Sequence, residues 1–231
     1  MPETAQVGFG LESEMAPPVS RWLRLRGLAV KSEFALPWGI CDLVGVKLNR
    51  VRLKHRLSYG QTQPIGPVIR LHILSKIPDS ETGRSISLKK LEQDFSGEIP
   101  LERLSLEIDR LQRTKFVTSP KSGFFQKRNG WAPLQDDIVA VELKLERVSD
   151  VLAQAVSNRA FASKSYVALP AVLALRLAAS SRADLFRQRG IGLLAVWRHK
   201  CQELLRPESN QDCHEILQSH VVERFWRTRG N

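Results

Sequence analysis

The sequence predicts an α/β protein whose core is written in two separated stretches, with a segment of different pattern between them. Three observations predict it. Short apolar runs at residues 29–36, 40–48, 137–145 and 165–169 read as buried strands. Helical periodicity flanks them, in residues 12–25 before and 149–162 after. From residue 65 to 131 the strand pattern gives way to three helical stretches and a hairpin.

In the first stretch, Met15, Val19, Trp22 and Leu23 recur at helical spacing, Pro17 and Pro18 sit early, and Gly27 is a C′ stop. A strand over 29–36 follows, then a Pro37-Trp38-Gly39 turn and a strand over 40–48. Residues 50–57 alternate strictly, which predicts a strand with Arg50, Arg52, Lys54 and Arg56 on one face. That face is either solvated or a phosphate-tracking strip. Residues 58–67, with two Pro and two Gly, read as a linker. The expected divisions are therefore 1–64, 65–131 and 132–231.

The middle division reads as helices over 67–76, 87–95 with Ser87 as N-cap, and 100–113 with Leu101, Leu104, Ile108 and Leu111 on one stripe. A hairpin over 116–128 closes it. Three helices and a hairpin are the order of a winged helix, whose third helix reads DNA. The wing carries Lys121, Lys127 and Arg128. The third helix mixes Glu102, Glu107 and Asp109 with Arg103 and Arg110, so this segment docks either DNA or protein. In the last division a strand over 192–197 and a helix over 212–226 follow a short helix at 184–188.

Charge narrows the function classes. A net charge of +11 and a pI near 10.0 suit a polyanion binder. The surplus is spread along the chain: nine Lys/Arg against five acids in 1–64, twelve against eight in 65–131, fourteen against eleven in 132–231. That favours basic surfaces on folded parts over a basic tail. Three cysteines (Cys41, Cys201, Cys213) and five scattered histidines have no metal-ligand spacing, which sets zinc chemistry aside. There is no Gly-rich phosphate loop and no nucleophile elbow. No signal-peptide order or membrane-length apolar run is present, so a soluble cytoplasmic protein is expected.

Two acidic positions fall inside apolar strands. Asp42 interrupts Cys41-Asp42-Leu43-Val44, and Glu142 and Lys144 interrupt Val139-Ala-Val-Glu-Leu-Lys. Residues two apart on a strand share a face, so Glu142 and Lys144 project together. Such groups are costly to bury unless they are paired or bind something. A divalent ion held by Asp42, Glu142, a backbone carbonyl and waters would meet that need.

In the order Glu12, Asp42, Glu142-Leu-Lys144, Gln154, the chain resembles the PD-(D/E)XK phosphodiesterase superfamily, which includes restriction endonucleases and Holliday-junction resolvases. The resemblance covers roughly residues 10–48 and 135–170. The opening Glu12-Ser-Glu14-Met-Ala-Pro17-Pro18-Val19 is similar to that of small bacterial phosphodiesterase-like members. The resemblance implies a restriction-endonuclease-like α-β-β-β-α-β core with an inserted winged-helix domain. It implies Asp42 and Glu142 as ligands of Mg²⁺ or Mn²⁺ and Lys144 as the catalytic lysine. Glu12 would be the acid carried on the first helix, and Gln154 either a site-adjacent amide or, with Asn158, a solvent-facing polar pair. Glu12 has a second reading, a helix-start acid facing the macrodipole. Two departures stand out: Cys41 replaces the Pro before Asp42, and 100 positions separate Asp42 from Glu142.

Metal-dependent hydrolysis of DNA is the expected function. A non-catalytic DNA-binding or regulatory protein, using the winged helix on a nuclease-like scaffold, is the alternative. A protein–protein adaptor is the third class, and it would lack DNA affinity at low salt. Members that cut both strands are often dimers, so analogy adds a homodimer to the expectations.

Overall fold

The first element among the described residues is a 3-10 turn, Glu12–Met15, running into α1 (Ala16–Arg24), with Pro17 and Pro18 in its first turn and Gly27 at φ 80° just past its end. This is a computed structural model, and it describes residues 8–128, 132–146 and 148–226. After α1 come β1 (Ala29–Leu36), β2 (Gly39–Leu48), α2 (Arg50–Ser58) and α3 (Val68–Lys76). Then follow β3 (Ile86–Ser87), α4 (Leu88–Asp94), α5 (Leu101–Arg113), β4 (Val117–Lys121) and β5 (Phe124–Lys127). The chain continues through β6 (Gln135–Leu143), α6 (Val148–Asn158), β7 (Lys164–Pro170), α7 (Ala171–Ala178) and α8 (Ala183–Gln188). It finishes with β8 (Gly192–Val196), β9 (Cys201–Leu205) and α9 (Glu215–Glu223).

These elements form a mixed α/β fold in two compact units, residues 1–48 with 136–214, and residues 49–135 with 215–231. The sequence pattern placed 49–64 and the C-terminal helix with the outer core. Both cluster instead with the second unit.

The first unit is built on a six-stranded mixed sheet in the order β1-β2-β6-β7-β8-β9. β6, β7 and β8 run parallel, while β1–β2 and β8–β9 pair antiparallel. Strand parity sorts the core. Tyr166 and Ala168 pack with Met15, Val19, Trp22 and Leu23 of the α1 side. Val167 and Leu169 pack with Val151, Leu152 and Ala155 of α6 and with α7 and α8. Gly192 is the register partner of Tyr166, whose ring lies where a Cβ at that position would stand, so only glycine fits there. α7 and β9 were not anticipated. α7 starts directly behind Pro170, inside an apolar run that continues from β7 without a polar break.

The second unit has its own core, in which Leu71, Leu74, Leu104, Ile108, Leu111 and Phe116 meet Leu91 and Phe125. Ser87 caps α4 through Lys90 N at 3.2 Å. The hairpin β4–β5 carries β3 as a third strand, in the order β3-β5-β4. Of the predicted stripe on α5, Leu104, Ile108 and Leu111 are buried, but Leu101 is 43% exposed at the first turn.

Residues 50–57 are a correction: they form α2, not a strand. Asn49 begins the helix, its Oδ1 accepting from Arg52 N at 2.9 Å. Arg56 is fully buried, with its guanidinium 2.5 and 3.0 Å from the Glu223 carboxylate of α9 and packed over the Phe116 and Trp226 rings. A buried cation so paired fixes the helix where local alternation suggested a strand. Among the described residues, no helix is long and apolar enough to cross a membrane.

Candidate active site

Neighbouring strands β2 and β6 bring two carboxyls together near the end of β6. Leu143 N donates to Asp42 Oδ2 at 2.7 Å, which ties the side chain of one strand to the backbone of the other. Glu142, flanked by Val141 and Leu143 of the α1-side core, turns the opposite way, where Asn158 Nδ2 of α6 donates to its Oε1 at 2.5 Å. The Asp42 and Glu142 carboxyls are near enough for each to feel the other's charge. One residue past β6, Lys144 Nζ stands 3.1 Å from Glu12 Oε1 and 3.3 Å from Oε2. Leu145 N also donates to Glu12, at 3.5 Å.

The electrostatics follow from that crowding. Burial pushes the Glu142 carboxyl up to about 7; the charge of Asp42 adds to the rise, and the Asn158 hydrogen bond opposes it. Asp42 is also raised, first by burial and further by Glu12, while the Leu143 N–H and Lys144 pull it down. The Cys41 thiol, buried beside them, is pushed well above its ordinary range by burial and then by Glu142. Two neighbouring carboxyls short of solvent repel one another when both are ionised. A divalent cation relieves the same repulsion, and carboxylate oxygens are the donor type hard ions take. Among the described residues no three His, Cys, Asp or Glu side chains gather into a ready cage. An ion held here would draw on the two carboxylates, with backbone carbonyl and water making up the shell.

A cleft of about 620 Å³ opens beside Glu12 and Asp42, lined also by Leu143, by Ser13, Ser20 and Arg24 of the first helical segment and by Ser32 and Glu33 of β1. Glu33, beside Asp42 in the β1–β2 ladder, adopts φ 47°, a rare backbone state for a non-glycine residue.

Of the residues singled out from the sequence, Glu12, Asp42, Glu142 and Lys144 are brought together, and Glu12 sits in a 3-10 turn rather than a regular α-helix. Gln154 does not join them. It is exposed on α6, and Asn158, one turn later, is the amide that reaches Glu142. Asn158 shares the α6 face that buries Val151 and Ala155, while Gln154 is exposed.

The expected basic strip is dispersed. Arg56 is sealed against Glu223, and Arg52 donates to the carbonyls of Pro133 and Gln135 at 3.0 and 3.4 Å, leaving Lys54 exposed. In the hairpin, Lys121 is exposed with its ammonium 3.9 Å above the Phe124 ring. Lys127 is 9% exposed and 3.6 Å from Asp79. Arg128 is half-buried, its backbone N–H bonded to Phe116 O. Arg56 is corrected outright as a nucleic-acid contact, because reaching a phosphate would strand a buried carboxylate.

Compared with protein-family models, with curated proteins and with solved structures, the chain matches none.

Proposed function

We propose that the chain is a metal-dependent phosphodiesterase that hydrolyses DNA, a nuclease of the PD-(D/E)XK type. The observation that carries the reading is the carboxyl pair Asp42 on β2 and Glu142 on β6, with the ion pair Lys144–Glu12 beside it. The donor chemistry fits a hard divalent ion, Mg²⁺ or Mn²⁺, with Asp42 and Glu142 as its ligands. When bound, such an ion supplies Lewis acidity and lowers the pKa of coordinated water. Asn158 and the Leu143 N–H orient the two carboxylates. Lys144 donates toward the phosphate and the attacking water, and Glu12 positions its ammonium. The β2-β6-β7 neighbourhood with α1 and α6 supports a restriction-endonuclease-like core. The order α3-β3-α4-α5-β4-β5 supports a winged helix in the second unit.

One observation favours the alternative of a DNA-binding protein without catalysis: the second unit holds most of the positive charge, 19 Lys/Arg against 10 Asp/Glu.

Cleavage of linear, supercoiled, single-stranded and branched DNA in Mg²⁺ or Mn²⁺ separates the two. Wild type is expected to cut, and Glu142→Ala and Lys144→Ala each to lose about 10²-fold or more in rate. DNA binding by a folded wild type that cuts none of the four in either metal would favour the binding protein.

A further inference from the structure

A second cavity of the first unit, about 410 Å³, lies away from the carboxyl cluster, around the beginnings of β6 and β7. Asp137, on its wall, is five residues before Glu142 on β6, a span of about 16 Å along a strand. Four cations line it, Arg26, Lys47, Lys164 and Arg206, against two acids, Asp137 and Glu203. The cleft beside Glu12 and Asp42 has the opposite balance, with Glu12, Glu33 and Asp42 against Arg24.

Most of the polar groups of this second cavity are already engaged. Lys164 Nζ is 2.6 Å from Asp137, which also accepts from Ser163. Tyr166 donates to Glu203 at 3.4 Å. Arg26 sits 3.7 Å over the Trp22 ring and donates to Trp22 O at 3.2 Å. Lys47 and Arg206 are exposed and form no ion pair among the described residues. The charge balance therefore asks for an anion, and the volume falls within the ~300–1,000 Å³ range of small-ligand sites.

We propose that this cavity binds a phosphate monoester of nucleotide size, with Lys47 and Arg206 as its counter-charges. A phosphate monoester carries about −1.5 to −2 at neutral pH, which two free cations match, whereas a backbone diester carries a single charge. The same group is presented by a free nucleoside 5′-monophosphate and by the 5′ end of a nucleic-acid strand.

The test uses the full-length protein in a metal chelator, so that no cleavage intervenes. Thymidine 5′-monophosphate, with thymidine as its hydroxyl counterpart, is titrated by calorimetry. A short oligothymidylate with a 5′-phosphate is compared with the same strand bearing a 5′-hydroxyl by fluorescence anisotropy. Saturable binding of the mononucleotide, or tighter binding of the phosphorylated strand, is expected, and the arm that responds identifies the source. Lys47→Glu and Arg206→Glu, checked by thermal melting, should each weaken that binding about 10-fold or more. Glu142→Ala should leave it unchanged, which separates this cavity from the carboxyl cluster. The proposal is overturned if neither phosphomonoester binds in preference to its hydroxyl counterpart, or if binding survives both charge reversals in folded protein.

Discussion

Glu142 is the residue on which most of the chemistry turns, and its environment has a thermodynamic signature. Its carboxyl titrates at about 7 in the fold against 4.5 in the unfolded chain, because burial and Asp42 disfavour the charged form. The folded state thus binds the proton more tightly than the unfolded state does. The stability this contributes is fully present below pH 4.5 and is lost as pH rises through about 7. Glu142→Gln keeps the Asn158 contact and never ionises, so it should be more stable than wild type above pH 7 in a chelator, by about 1–3 kcal/mol. Thermal or urea denaturation of both proteins between pH 5 and about 8 measures this, and parallel pH curves would show that Glu142 is not strained. The acids themselves were legible in the sequence, since a charge inside an apolar strand requires a reason. Asn158 was not, because choosing between two amides one turn apart depends on which face of α6 meets the sheet.

At the scale of elements, α2 and α9 are joined by Arg56 and Glu223, which are 0% and 5% exposed. Glu223 Oε2 also accepts from Ile65 N at 2.7 Å, so its removal would orphan two buried donors. Arg56→Ala or Glu223→Ala should destabilise the second unit by about 3–5 kcal/mol, whereas exchanging both for apolar residues of similar size should cost far less. A double-mutant cycle by chemical denaturation checks it, and additive losses would mean the two do not act as a pair. The same ion pair explains why α2 was misread. Alternating Arg and apolar residues over 50–57 is a local pattern, and the partner that decides for a helix stands 167 positions away. β1, β2, β6, α4 and α5 were legible because each carries its own period, cap or turn. β9 was not, since Cys201–Leu205 lacks a clear alternation and is held by pairing with β8.

Across the whole molecule, charge and candidate chemistry are divided between the units. The first unit carries 16 Lys/Arg against 14 Asp/Glu, a net +2, and the second 19 against 10, a net +9. If DNA is the partner, most counterion release belongs to the second unit. Charge reversal at its exposed Lys89, Lys90 and Lys121 should lower affinity across sequences and flatten the salt dependence, by about 0.9 in log–log slope for each phosphate no longer neutralised. Anisotropy titrations over a range of salt concentrations read this directly. A slope unchanged by all three would move the phosphate-binding surface elsewhere. The division itself was only partly legible: the change of pattern after residue 65 marks the second unit, but its claim on residues 49–64 and 215–226 rests on packing between segments distant in sequence.

The most direct measurement is Mn²⁺ binding to the full-length protein, followed by calorimetry and by electron paramagnetic resonance, with Asp42→Asn and Glu142→Gln alongside wild type. One Mn²⁺ site in wild type, displaced by Mg²⁺ and abolished in both variants, is the predicted result. Mn²⁺ binding of equal stoichiometry and affinity in all three proteins, or none in wild type, would contradict a metal centre at Asp42 and Glu142.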